Sequence, residues 1–146
     1  MQRLLTAAVL APLVWWLTKR GPDLAFGATI VTCAALASHE AYRMLEARGM
    51  RPLRLLGLAL GAAVAASFAG PFSGLEPATV LGLAVSVSFV AAMARRPDPP
   101  SMLDAAVATT LPVVLIAFPL GFLAALRRID PETGPDLVLL LLLCVM

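Results

Sequence analysis

LDAAVATTLPVVLIAFPLGFLAAL, residues 103–126, is the longest apolar run in the chain, and its reading decides the fold. At about 1.5 Å per residue a helix of this length reaches ~36 Å, enough to cross a ~30 Å hydrocarbon core. Asp104, near its start, is its single charge. Lipid offers the backbone no hydrogen-bond partners and the run shows no period-two alternation, so it reads as a helix. Pro112 and Pro119 each remove a backbone donor inside it. Kinks are expected there, and a helix bent twice could line a cavity; prolines simply buried against neighbours fit equally well.

The rest of the chain follows the same pattern. Sixty per cent hydrophobic residues, 14% charged residues and a mean hydropathy of +0.91 exclude an ordinary soluble globular protein. Apolar windows run over Leu4–Thr18, Leu24–Leu45, Leu53–Gly70, Pro77–Ala94, Leu103–Leu126 and Leu137–Met146. Between them lie KRGPD, EARGMRP, GPFSGLEP, RRPDPPS and RRIDPETGPD, each with the Gly and Pro that favour turns. The expected fold is an all-α, polytopic membrane bundle of about six transmembrane helices. The last run reaches only about half way across the core at ~1.5 Å per residue, so a truncated sixth helix is expected, with the natural chain continuing past Met146.

The first span, preceded by Arg3, has some features of a signal peptide. It ends in WWLTKR without a small-residue cleavage site, so Trp15 and Trp16 read as an interfacial belt and Lys19 and Arg20 as snorkelling flanks. With the N-terminus inside, the cytoplasmic segments hold Arg3, Arg43, Arg48, Arg51, Arg54, Arg95 and Arg96. The other side holds Lys19, Arg20, Arg127 and Arg128. The bias favours a multi-pass protein of the cell inner (plasma) membrane with a cytoplasmic N-terminus, and it sends whatever follows the sixth span to the cytosol.

The formal charge of +2 does not point to nucleic acid, because the basic residues are scattered between apolar spans. Cys33 and Cys144 lie singly in apolar runs and suggest packing, not a disulfide or metal site. No phosphate-binding glycine loop, zinc pattern or nucleophile elbow occurs in the sequence, and no catalytic, cofactor-binding or metal-ligating residue is assigned.

Two features inside the spans stand out. Gly57, Gly61, Ala65 and Ala69 recur every four residues, which makes one helical face small enough for another backbone to approach. Close packing within the chain is expected, and a homodimer seam is the other use of such a stripe. At the end of the second span, ASHEAYRML places His39, Glu40 and Arg43 where Glu40 can pair with Arg43 at i, i+3. Ionisable residues at membrane depth suggest function, and Glu40 and Arg43 are the candidates for contact with an anionic lipid headgroup; simple interfacial anchoring is the competing reading. His39 has no neighbours at ligand spacing and is a poor metal candidate. The mixed charges of ALRRIDPETGPD read as a solvated turn.

Three stretches resemble the phosphatidate cytidylyltransferases, or CDP-diacylglycerol synthases. QRLLTAAVLAPLV looks like that family's opening, a basic residue, a Ser or Thr and an apolar helix containing Pro. HEAYRML resembles the family's helix with a Glu followed by a Leu, although an aromatic often precedes the Glu where this chain has His39. LPVVLIAFPLGFLAALRRIDPETGPDLVLLLLLCVM is similar to the segment leading into the first catalytic-side motif. The family signature, with Lys-Asp, His-Gly-Gly and Asp-Arg elements, is absent, so no catalytic residue is carried over.

The resemblance implies that residues 1–146 are the N-terminal transmembrane region of a longer membrane enzyme, inactive alone, whose catalytic C-terminal part lies outside them. It implies phosphatidate and CTP as substrates and CDP-diacylglycerol and pyrophosphate as products, a step in phospholipid biosynthesis. It also implies Mg²⁺, held by acidic residues beyond this stretch. The alternative is a small polytopic transporter or membrane scaffold. Transporters often carry paired internal repeats, and no convincing repeat relates spans one to three to spans four to six.

Overall fold

The computed structural model describes residues 15, 18, 19, 21–69, 76–96, 98–130 and 133–145. It contains helices α1 (Asp23–Ala47), α2 (Arg54–Phe68), α3 (Pro77–Arg95), α4 (Pro99–Pro112), α5 (Phe118–Arg128) and α6 (Gly134–Val145), with no strand among the described residues. A π-helical turn, Val113–Ala117, joins α4 to α5, so Pro99–Arg128 is one continuous helix of 30 residues. The expected first span, with Arg3, Pro12, Trp16 and Arg20, lies outside the described residues apart from Trp15 and Thr18, as does Met146.

Local sequence explains the helix boundaries. Pro22 holds extended backbone ahead of α1, and Asp23 places a carboxylate in its first turn, where the helix dipole favours it. The other end of α1 closes on Gly49 at φ +84°, where Gly49 N–H donates to Glu46 O and Met50 N–H to Leu45 O. This is the six-to-one arrangement that favours glycine. Pro77 opens α3, and Pro99 and Pro100 open α4, positions at which a missing N–H costs nothing. Pro112 and Pro119 bracket the π turn, in which Phe118 N–H donates to Val113 O, five residues back. The helix answers two missing donors by widening one turn, which keeps it unbroken.

Among the described residues, three helices are long and apolar enough to cross a membrane: α1, α3 and the continuous Pro99–Arg128. The apolar helix α2 has 15 residues and spans ~22 Å. It is the hub of the bundle, in contact with α1, α3, α4, the π turn and α5. The small-residue stripe makes this possible. Its members meet α1 in antiparallel register: Gly57 faces the Tyr42 ring, Gly61 faces Ser38, Ala65 clusters with Ala34, and Ala69 lies against Gly27. A Cβ added at Gly57 would clash with the Tyr42 hydroxyl, and one at Gly27 would lie 2.7 Å from the Ala69 Cβ. The stripe is thus occupied by packing within the chain.

Side chains of little bulk fill most of the interior. Ala34, Ala65 and Ala117 meet where α1, α2 and the π turn converge; Ala92, Ala105 and Ala106 join α3 to α4. A larger cluster includes Phe26, Val64, Phe68, Val113 and Val138, and Phe68, Phe118 and Phe122 stack at centroid distances of 5.0–5.5 Å. Large side chains such as Leu36, Leu55, Leu83 and Phe122 point outward instead. Exposed hydroxyls along the helices, those of Thr29, Thr32 and Ser86, donate to carbonyls four residues back, so they enter lipid already satisfied, and buried Ser88 does the same inside the bundle.

Two expectations need correction. Cys33 and Cys144 are exposed on the bundle surface and do not pack inside it. Arg127 does not belong to a solvated turn: it is buried, donates to Gly21 O through Nη2, and lies 4.7 Å over the Phe26 ring. Adjacent residues on a helix diverge by about 100°, so Arg127 continues the inward face of Gly121 and Ala124 while Arg128 turns outward.

Candidate functional site

The antiparallel pairing of α1 and α2 brings the C-terminal turn of one to the first residue of the other. Arg54, which opens α2, therefore reaches back over α1. Its Nη2 lies 2.8 Å from His39 Nε2 and 3.1 Å from Nδ1, so whichever ring nitrogen carries no proton accepts its hydrogen bond. Its Nη1 lies 3.6 Å from a Glu46 carboxylate oxygen. Glu40 and Arg43 are both exposed, and among the described residues no ion pair joins them. The partner of the His39 region thus comes from the next helix, not from the same one. Sequence spacing favoured Arg43 because it registers only contacts within a helix.

Beneath this cluster lies a buried polar junction. Tyr42 is fully buried and donates from its hydroxyl to Thr109 O at 2.7 Å. The Thr109 hydroxyl donates to Ala105 O and accepts the Leu53 N–H at 2.8 Å. One residue of α4 therefore ties down the α1 helix and the entry to α2. The signal in sequence was only a Tyr and a Thr in apolar spans, with nothing to pair them.

Two cavities open at this end. A polar one of about 190 Å³ lies among Arg51, Arg96, Ser101 and Asp104. An apolar groove of about 460 Å³ runs between Met44, Leu45, Leu111 and Leu115, with Arg48 on its wall. It shares Leu115 and Ile116 with a second apolar groove of about 750 Å³ that continues along α5 past Leu123 to Ile129 and Leu141. The two make one apolar track with a guanidinium near one end. Arg48, and neither Glu40 nor Arg43, lines it. A cation beside a long apolar channel is the chemistry that holds a phosphate-bearing lipid by both its parts.

The model of the cytidylyltransferase family matches residues 1–146, the whole of the sequence. The chain belongs to this family. Comparison with curated proteins and with solved structures gives no match. Membership in the cytidylyltransferase family makes the protein a nucleotidyltransferase-type chain, and its three long apolar helices make it a membrane protein. Among the described residues no group of three or more His, Cys, Asp or Glu side chains could hold a metal ion.

Proposed function

We propose that the complete protein transfers the cytidylyl group of CTP to phosphatidate. A phosphate oxygen of the lipid attacks the α-phosphorus of CTP, and the bond to the departing pyrophosphate breaks, giving CDP-diacylglycerol. The family match over residues 1–146 carries this reading. The apolar track with Arg48 on its wall supports the lipid as acceptor, because it sets a cation beside a surface that acyl chains can line. In this reading Arg48 attracts the lipid phosphate and the track receives an acyl chain, while Arg43 and Glu40 flank the approach of the headgroup. The groups that bind CTP and Mg²⁺ lie outside residues 1–146.

The membrane arrangement belongs to the same reading. Counted with the one span expected from the sequence over Leu4–Thr18, the three long helices, α2 and α6 make six, placed in this reading in the inner membrane with the N-terminus and the α1–α2 turn facing the cytosol, where CTP is found. The deciding experiment is transfer from labelled CTP by the purified full-length protein in mixed micelles. Label should appear in lipid only when phosphatidate is present. Transfer to a soluble acceptor, or none to phosphatidate, would reject the proposal.

A further inference from the structure

At the end of the bundle opposite Arg48 lies a polar cavity of about 360 Å³, lined by Lys19, Asp23, Arg127, Arg128 and Pro135. Arg127 is the unusual member, only 8% exposed although charged. Its Nη2 donates to Gly21 O and lies 3.7 Å from the Asp23 carboxylate, and its guanidinium rests on the Phe26 ring. Its Nη1 is buried without a hydrogen-bond partner. A guanidinium has five N–H donors and accepts nothing, so a buried, unused terminal nitrogen calls for an acceptor oxygen.

The surrounding charge asks for the same thing. Three cations line the cavity against the single carboxylate of Asp23, and Asp136 pairs with Lys19 at 2.8 Å. We infer that this cavity binds a phosphate-type oxyanion, held by Arg127 from within and by Arg128 and Lys19 at its rim. Arg127 supplies the inner positive charge, and Arg128, exposed, supplies long-range attraction. The oxyanion is either free phosphate or the headgroup of an anionic phospholipid in the leaflet at this end. The site shares no lining residue with the Arg48 track and does not depend on the cytidylyl-transfer reading, and its test reads binding alone.

The experiment uses the full-length protein in neutral detergent, titrated in parallel with inorganic phosphate, short-chain phosphatidylglycerol and phosphatidylcholine of the same chains. Arg128→Gln is the deciding variant because the residue is exposed, and Arg127→Met removes the inner charge while keeping bulk. Removing one cation near an anionic surface is expected to weaken binding about five-fold. Phosphate binding that falls by this factor in Arg128→Gln identifies a free-oxyanion site. Preference for phosphatidylglycerol over phosphatidylcholine that falls likewise, without a response to phosphate, identifies a lipid site. No binding of either anion by the wild type, or equal binding by wild type and Arg128→Gln, overturns the inference, whether or not Arg127→Met folds.

Discussion

Gly57 and Gly82 are the same residue type in neighbouring helices, and the structure assigns them opposite roles. Gly57 presents its bare Cα to the Tyr42 ring, whereas a Cβ at Gly82 would meet nothing within 4 Å. Gly57→Ala should therefore destabilise the bundle by about 1–3 kcal/mol through overpacking. Gly82→Ala should stabilise it by about 0.5–1 kcal/mol, because alanine is the better helix former. Unfolding of the two variants in a graded SDS and mild-detergent mixture compares them directly, and equal shifts would contradict the close approach at Gly57. At the same junction Tyr42→Phe removes a buried donor to Thr109 O, and a loss of about 0.6 kcal/mol is expected, the usual scale for a hydrogen bond between membrane helices. For the lipid reading, Arg48→Ala should raise the KM for phosphatidate several-fold and leave that for CTP unchanged, with Arg43→Ala having a smaller effect. Equal changes for both substrates would detach the apolar track from the acceptor.

Among the elements, the α1–α2 hairpin depends on both its turn and its seam. Gly49→Ala forces a Cβ into the left-handed region and should cost about 1–2 kcal/mol, readable in the same SDS titration. Much of this level was legible in the sequence. Pro22, Gly49, Pro77 and Pro99 mark helix ends by rules that act within a few residues, and the four-residue recurrence of Gly57, Gly61 and Ala65 identifies a packing face wherever its partner lies. What stayed hidden depended on tertiary structure. The reach of Arg54 over His39, the Tyr42–Thr109 bond and the fold of Arg127 onto Gly21 and Phe26 join residues far apart in the chain. The π turn was hidden for a different reason: Pro112 and Pro119 announce missing donors, but a kink and a widened turn answer that loss equally well.

For the whole molecule, the outward display of Leu36, Leu55, Leu83 and Phe122 fits a protein whose solvent is lipid. Exposed Cys33 and Cys144 then sit where an apolar thiol reagent can reach them from the bilayer. A lipid-soluble maleimide should label both in proteoliposomes, and a charged, membrane-impermeant reagent should label neither; the reverse pattern would place these faces in water. The proposed orientation has its own test. In a variant lacking both native cysteines, Arg51→Cys should react with impermeant reagent from the cytosolic side and Thr133→Cys from the opposite side. The α1–α2 turn and the segment before α6 lie at opposite ends of the bundle, so labelling of both from one side would contradict this topology. The alanine clusters have a further effect. Where Ala34, Ala65 and Ala117 meet, the side chains have no torsions to freeze, so closing α1, α2 and the π turn at that point forfeits less rotamer entropy than a leucine-filled contact would.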